Sequence, residues 1–164
     1  MTAKKKTAET AVKKKYLQYI VPAIIIVAAL VIYNPVMNHG FLLGWDDTEY
    51  LNNKDVQELR IGNIFSDYHL GMYQPIAVAS LALNYASAED SPAAYHATNI
   101  FLHIVNILLV WLVLLRLSKK RIIAGIGAFL FAFHPMNVEP VAWMAARSTL
   151  LFTSFYLGGI LSYL

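Results

Sequence analysis

The sequence contains no cysteine, which excludes disulfide bonds, thiolate nucleophiles and cysteine metal ligands. Charged residues are also scarce: they make up 14% of the 164 residues, whereas a soluble domain has about 25%. Hydrophobic residues account for 58% of the chain, above the roughly 45–50% that is typical of soluble domains. The composition therefore predicts an integral membrane protein.

The few charges are separated along the chain. Ten of the thirteen Lys and Arg residues lie in two clusters, one before residue 16 and one at 116–121, and nine of the ten acids lie outside them. Because cytoplasmic loops are rich in Lys and Arg, both clusters are predicted to be cytoplasmic and the acids to face the other side. We expect a multi-pass protein with a cytoplasmic amino terminus and a non-cytoplasmic active face, in a bacterial inner membrane rather than the endoplasmic reticulum.

Four apolar segments are predicted to cross the membrane. The first, "YLQYIVPAIIIVAALVIY", has no charge over about 27 Å of helix, and no small-x-small site marks it as a cleaved signal peptide. The predicted spans are about 16–33, 95–117, 121–135 and 148–164. Residues 1–15 are predicted to be a disordered basic tail, and 34–94 an outer loop that contains interfacial helices. The predicted fold class is all-α, a polytopic transmembrane helix bundle over 16–164.

One apolar segment, "QPIAVASLALNYASA" at 74–88, is predicted to form a helix without crossing the membrane. It is charge-free but only fifteen residues long, which is short for a span. A crossing there would also place the 116–121 cluster on the acidic side. We therefore expect this helix to lie along the membrane.

The second predicted span has a polar stripe. Asn99, His103 and Asn106 recur at i, i+4 and i+7, so they share one face of a helix. Polar groups that face lipid are costly, and the stripe is therefore predicted to face protein or a wet cavity. Interhelical hydrogen bonding is the favoured interpretation, and a substrate cavity is the alternative.

Two adjacent acids, Asp46 and Asp47, follow the first span in "GWDDTEYLNN". One interpretation is a capping box, with Asp46 as the N-cap and Glu49 reaching back three residues later. The other is a general base, since the helix N-terminus would keep an oriented carboxylate ionised near the interface. The two roles are compatible.

A second polar cluster, His134, Glu139 and Arg147, surrounds the turn after the third predicted span. In one interpretation Glu139 pairs with Arg147 and His134 caps the preceding helix. In the other, Arg147 binds a lipid-borne phosphate. Acid and imidazole ligands are compatible with a divalent metal, but their spacing is too irregular to predict a metal site.

Four segments follow one another in the order and spacing of a known family. They are "GWDDTEYLNN", "YQPIAVASLALNY", "YHATNIFLHIVNILL" and "FAFHPMNVEPVAWMAARSTLL". Over about residues 30–164 the chain resembles the amino-terminal part of the multi-spanning O-mannosyltransferase-like proteins with tetratricopeptide repeats. These are members of the GT-C glycosyltransferase superfamily, and the turn "HPxxxExVAxxxxRxxLL" is the most specific part of the resemblance.

The resemblance implies an enzyme that takes a sugar from a polyprenyl- or dolichyl-phosphate carrier. The acceptor is expected to be a protein or a glycan on the non-cytoplasmic side. The superfamily's acidic motif matches the stretch that begins at Asp46, which implies Asp46 as the catalytic base and Asp47 as its partner. The residues then expected to bind substrate or lipid phosphate are Tyr73, Gln74, His134, Glu139 and Arg147. Gln74 stands where the superfamily has a basic residue.

The implied mechanism is an inverting displacement at the anomeric carbon. Asp46 would take the proton of the acceptor, and Arg147 would help to neutralise the leaving phosphate. No metal or other cofactor and no nucleic acid are expected as partners, whereas membrane lipid is.

Two other classes of protein remain as alternatives. A transporter segment is disfavoured because only His103 is titratable in the middle of a predicted span. A non-catalytic membrane anchor or assembly subunit is the other alternative. The last apolar run reaches Leu164 without a basic flank, and the family's repeats are absent, so we interpret the chain as the amino-terminal portion of a larger bundle, inactive alone.

Overall fold

The structure is a computed structural model, and it describes residues 19–164. The predicted tail at 1–15 and the start of the first predicted span lie outside the described residues. The described chain forms nine α-helices: α1 Tyr19–Asn38, whose last five residues are 3-10 helical, α2 Asp46–Leu51, α3 Lys54–Gln57, α4 Ile61–Ser66, α5 Pro75–Ala88, α6 Pro92–Ser118, α7 Arg121–Ala132, α8 Val138–Ala142 and α9 Arg147–Tyr163. A 3-10 turn, Pro135–Asn137, precedes α8. The predicted all-α fold class is confirmed.

Two helices, α1 and α6, are long and apolar enough to cross a membrane. The third predicted span is interrupted: α7 and the Pro135–Ala142 segment together are long enough only as a broken span bent by 53°. Pro135 explains the break, because proline cannot continue the hydrogen-bond ladder of α7. The fourth predicted span forms α9, a 17-residue helix, and its crossing stays a prediction.

The helices α1, α7 and α9 all pack on α6, and their contacts fix their directions. Tyr33 of α1 contacts His103 of α6, with ring centroids 5.2 Å apart. Further along, a Cβ at Gly125 of α7 would lie 3.2 Å from Val21 and 3.5 Å from Trp111, so three helices approach closely there. Residue numbers therefore rise in α1 as they fall in α6, and α1 runs antiparallel to α6.

The same reasoning orients the other two helices. His103 of α6 contacts α7 at Ala132, whereas Trp111 lies against Gly125. Asn99 contacts α9 at Arg147, and Asn106 contacts it at Leu150. Helix α7 is consequently antiparallel to α6, and α9 is parallel to it. Residues 34–94 and 133–147 thus lie at one end of the bundle, which we call the acidic end, and the Ser118–Arg121 turn lies at the other, the basic end.

The polar stripe of α6 forms interhelical hydrogen bonds, as the favoured interpretation predicted. The Asn99 amide donates to the carbonyls of Pro140 and Trp143, at 3.2 and 2.9 Å. A ring nitrogen of His103 lies 3.1 Å from the Ala132 carbonyl, and the Asn106 amide donates to Leu150 O at 3.0 Å. All three polar side chains are buried. The stripe therefore fixes the positions of α7, α8 and α9 around α6.

The outer loop predicted at 34–94 is a packed helical layer. Its short helices α2–α5 bury their apolar residues in a second core with the start of α6 and with Met144. The predicted helix at 74–88 is present as α5, with Pro75 in its first turn, where a missing N–H leaves no intrahelical bond unmade. This layer gives the residues at the acidic end a fixed support.

Candidate active site

The two polar clusters predicted from the sequence meet at Asp47. Its carboxylate accepts a hydrogen bond from the Leu42 N–H at 2.9 Å and another from the Ala145 N–H at 3.1 Å. The second bond joins residues 98 positions apart in the sequence. Asp47 thereby attaches the "GWDDTEYLNN" segment to the turn between α8 and α9.

Burial dominates the electrostatics of Asp47, whose side chain is 1% exposed. Removal from water raises the pKa of this carboxyl above its ordinary value, because the charged form loses hydration. The two backbone N–H donors, the indole of Trp143 and the nearby His96 oppose that shift without cancelling it. The neutral form is therefore more accessible for Asp47 than for a solvated aspartate.

The interpretation of Asp46 as an N-cap is wrong. Helix α2 begins at Asp46 itself, and its N-cap is Trp45, which makes no side-chain capping bond. The preceding turn is held instead by Gly44, whose N–H donates to the Thr48 hydroxyl at 3.0 Å and whose φ of +83° favours glycine. Both acids stand in the first turn of α2, where the helix dipole stabilises negative charge.

Asp46 faces a different neighbour from Asp47. Burial raises the pKa of Tyr50 to about 12, and the charge of Asp46, one helical turn away, adds to that shift. The Tyr50 hydroxyl in turn accepts a hydrogen bond from the side-chain amide of Gln74. The Asp46 carboxylate is only partly buried and accepts no hydrogen bond from residues 19–164. It is therefore the freer of the two acids.

The larger cavity at the acidic end lies between the segment before α2 and helix α8. Its volume is about 880 Å³, within the usual range for ligand sites. It is lined by His39, Gly40, Phe41, Leu42, Trp45, Asp47, Val138, Glu139, Ala142 and Trp143, and we call it the tryptophan cavity. Of the predicted site residues it brings together Asp47 and Glu139.

A second, smaller cavity of about 290 Å³ lies between α5 and α9. It is lined by Tyr73, Gln74, Pro75, Ile76, Ala77, Ser148, Leu151, Phe152 and Phe155, and we call it the α5–α9 groove. It contains the predicted site residues Tyr73 and Gln74 and no acid. Phe152 and Phe155 are exposed along its α9 side, so most of its wall is apolar.

Arg147 is completely buried and lies outside both cavities. Its guanidinium donates to Asn99 Oδ1 at 2.8 Å, to Ser80 O at 3.0 Å and to Tyr95 O at 3.1 Å. The predicted Glu139–Arg147 ion pair is absent from the described structure, and Glu139 is exposed. A phosphate could reach this guanidinium only if these hydrogen bonds were broken.

His134 is exposed and caps a different element from the one predicted. Its Nδ1 accepts the Met136 N–H at 3.2 Å and so caps the 3-10 turn that follows, rather than the carboxyl end of α7. Proline at the next position starts that turn, which explains why the side chain points forward along the chain. His134 contributes to the shape of the turn that presents Glu139.

Sequence reasoning missed the aromatic part of the site. Trp45 and Trp143 meet with ring centroids 6.0 Å apart and planes at 86°. A tryptophan directly before the acidic pair and another within the "HPxxxExVAW" turn were the available signals. Their contact depends on the long-range bond from Asp47 to Ala145, which no local pattern reveals.

No family model and no solved structure matches the chain. Protein O-mannosyl-transferase Tmtc1 of Drosophila melanogaster is 34% identical over 148 residues, which cover 82% of this chain and 17% of that protein. The chain is similar to part of a protein O-mannosyl-transferase.

Two human proteins give the same result. Protein O-mannosyl-transferase TMTC4 is 31% identical over 145 residues, covering 73% of this chain and 20% of its own length. Protein O-mannosyl-transferase TMTC1 is 33% identical over 126 residues, covering 69% of this chain and 14% of its own length. The chain thus spans a fifth or less of the length of these curated relatives.

Proposed function

We propose that this chain is part of a membrane glycosyltransferase of the O-mannosyltransferase-like, tetratricopeptide-containing family in the GT-C superfamily. It transfers a mannosyl group from a polyprenyl- or dolichyl-phosphate carrier to a protein or glycan acceptor on the non-cytoplasmic side. The observation that carries the proposal is the bond from Asp47 to Ala145, which brings Asp47 and the Glu139 turn to one cavity, with Asp46 next to Asp47 in the first turn of α2. The names of the relatives supply the reaction class.

The two adjacent acids have different roles in this proposal. Asp46 is the general base, because its carboxylate is partly exposed and free of hydrogen bonds from the described residues. Asp47 is a positioning residue, because it is buried and both its oxygens hold backbone N–H groups. By fixing the start of α2 against the α8–α9 turn, Asp47 orients Asp46 toward the acceptor hydroxyl.

The α5–α9 groove is proposed to hold the phosphate and the first part of the carrier chain. Ser148, the second residue of α9, lies at the groove, and the positive end of the helix dipole favours an anion there. The exposed rings of Phe152 and Phe155 supply an apolar surface for a polyprenyl chain. Arg147 assists through the field of its buried charge, which no acid neutralises by an ion pair within residues 19–164.

The reaction is proposed to be a single inverting displacement. Asp46 removes the proton of the acceptor hydroxyl as its oxygen bonds to the anomeric carbon, and the carbon–oxygen bond to the carrier phosphate breaks. The phosphate leaves with the electron pair. No covalent enzyme intermediate is needed, and the product therefore has the opposite anomeric configuration.

The base assignment is tested in the full-length protein with polyprenyl-phosphate mannose as donor. We expect Asp46→Asn to lower the transfer rate by about a hundredfold or more, since general-base catalysis contributes roughly 10²–10⁴-fold. Glu49→Gln, an exposed acid in the same helix, is the matched control and should retain the rate. Equal rates for Asp46→Asn and the unmodified protein would refute the assignment.

A further inference from the structure

The tryptophan cavity has a flat aromatic wall that neither the acidic motif nor the names of the relatives assign. Trp45 comes directly before α2, and its side chain is 65% exposed although it contacts Trp143 edge to face. Most of its ring is therefore free of protein contacts. Because both tryptophans line the cavity, this surface lies where a ligand would lie.

The same cavity has an indole N–H whose hydrogen bonding is incomplete. The Trp143 Nε1 is buried and makes no hydrogen bond of good geometry in the described part of the chain, although it lies close enough to the Asp47 carboxylate to lower the pKa of that group as a hydrogen-bond donor. An unpaired buried N–H is costly, and few native proteins tolerate one without a function. An oxygen atom from a bound ligand would satisfy it.

Two carboxylates that can accept hydrogen bonds line the same cavity as the Trp143 indole. The Glu139 carboxylate is exposed at the cavity, and each oxygen of Asp47 keeps a second lone pair after accepting its backbone N–H. The cavity therefore offers two carboxylates, one indole N–H and a flat apolar surface. A ligand that fits all of them needs hydroxyl groups at its edges and an apolar face.

The chemistry of the lining favours a neutral ligand that carries hydroxyl groups. The Glu139 carboxylate disfavours an anion such as phosphate, because like charges brought together are costly. No group of three or more His, Asp or Glu side chains that could hold a metal ion occurs within 19–164. A neutral polyol ring matches the acceptors, the indole N–H and the flat surface together, and it fits a cavity of about 880 Å³.

We propose that the tryptophan cavity binds the pyranose ring of a sugar. Trp45 packs against the apolar C–H face of the ring, Glu139 and Asp47 accept hydrogen bonds from its hydroxyls, and Trp143 Nε1 donates to a ring or hydroxyl oxygen. This assignment rests on the proposed function for the identity of the sugar as mannose. It makes Trp45 and Trp143 determinants of sugar specificity, separate from the carrier groove between α5 and α9.

Isothermal titration calorimetry of the full-length protein tests the proposal. Trp111, which is 3% exposed within α6, provides the matched control among the tryptophans of this chain. The full-length protein in nanodiscs is titrated with methyl α-D-mannopyranoside and, separately, with mannitol, which has similar hydroxyls but no ring face. We expect a saturable heat of binding with the mannoside alone, and the Trp111→Phe variant should retain it.

Three variants identify the residues. Trp45→Ala should weaken mannoside binding by about three- to tenfold, the usual effect of losing one aromatic contact. Trp45→Phe should restore part of the affinity, and Trp143→Phe, which removes the N–H, should also weaken binding. Because Trp45 is largely exposed, its substitution leaves the packed cores intact.

Each contrary result has a definite meaning. An equal response to mannitol, or an unchanged affinity in Trp45→Ala, would overturn the proposal. Quenching of Trp45 by dibrominated lipid without any response to mannoside would show an interfacial anchor instead. Mannoside binding without transfer from polyprenyl-phosphate mannose would refute the proposed function and leave the sugar site standing.

Discussion

Adjacent residues in the acidic motif have opposite environments. Asp47 is buried and hydrogen-bonded to a backbone N–H 98 residues away, whereas Asp46 is partly exposed beside Tyr50. Their separation follows from helix geometry, since consecutive residues in the first turn of α2 point about 100° apart. One carboxylate can thus hold the site together while its neighbour stays available for proton transfer.

Arg147 is a buried residue that joins three helices by hydrogen bonds. It connects α9 to α5 through Ser80 and to α6 through Asn99 and Tyr95, and its guanidinium lies 5.7 Å from the centre of the Tyr95 ring. A planar fork with five N–H donors suits this set of acceptors better than an ammonium group does. The residue therefore stabilises the junction on which both cavities depend.

Replacing Arg147 by lysine should lower the free energy of unfolding by about 2 kcal/mol or more, because buried acceptors are left unpaired. Thermal unfolding in detergent measures the change. Arg60→Lys is the matched control, since Arg60 is half exposed and pairs with Glu58 at the surface. That exposed pair contributes at most about 1 kcal/mol. Equal destabilisation by the two variants would contradict the role given to Arg147.

At the scale of elements, α6 is the common partner of the bundle. Its Asn99 amide and His103 imidazole contact carbonyls in the last turns of α8 and α7, where carbonyls lack intrahelical partners, and its Asn106 amide donates to a carbonyl in the first turns of α9. The short α7 and the bent segment after it are positioned by these bonds as well as by apolar packing. A polar stripe within an apolar helix is therefore a means of assembly here.

The bond network between α6 and α9 gives a quantitative prediction. The Ser154 hydroxyl donates to Asn106 Oδ1 at 2.6 Å, and a double-mutant cycle of Asn106→Ala with Ser154→Ala should show a coupling of about 0.6 kcal/mol. The cycle is measured by unfolding in detergent micelles. Thr153→Ala replaces Ser154→Ala in the control cycle, because Thr153 bonds only within α9, to Thr149 O. Its coupling to Asn106 should be zero within error.

The elements differ in how well the sequence predicts them. Helices α1 and α6 follow from long charge-free runs, and the i, i+4, i+7 spacing predicts the buried stripe, because both signals are local. The sequence pattern predicts the wrong N-cap for α2, because the residue with the extended backbone of an N-cap is Trp45, and the helix begins at Asp46. The partners of Arg147 and Asp47 could not be predicted, since they depend on contacts between distant segments.

For the whole molecule, the alternating helix directions place every acid of the described chain at one end. The basic turn at Lys119–Arg121 lies at the opposite end of α6, some 27 residues from the start of that helix. If the bundle crosses a membrane as the positive-inside rule predicts, the two cavities at the acidic end face the non-cytoplasmic side. The proposed chemistry depends on that orientation.

The absence of cysteine makes the orientation directly testable. A single cysteine at exposed Glu89, in the α5–α6 turn, should react with a membrane-impermeant thiol reagent applied to the non-cytoplasmic side. A single cysteine at exposed Lys119 should react only from the cytoplasmic side. The cysteine-free parent is the control for background labelling. Labelling of both positions from one side would contradict the predicted topology.

The bond between Asp47 and Ala145 also has a consequence for biosynthesis. The acidic motif leaves the ribosome early, but its hydrogen-bond partner follows 98 residues later, after α6, α7 and α8 have been made. At about 5–20 residues per second, the nascent motif waits roughly 5–20 s before its site can close. Until then the buried carboxylate remains hydrated and the tryptophan cavity lacks one wall. The cavity at the acidic end is thus completed by the turn between α8 and α9, which is synthesised well after the segment that contains the acids.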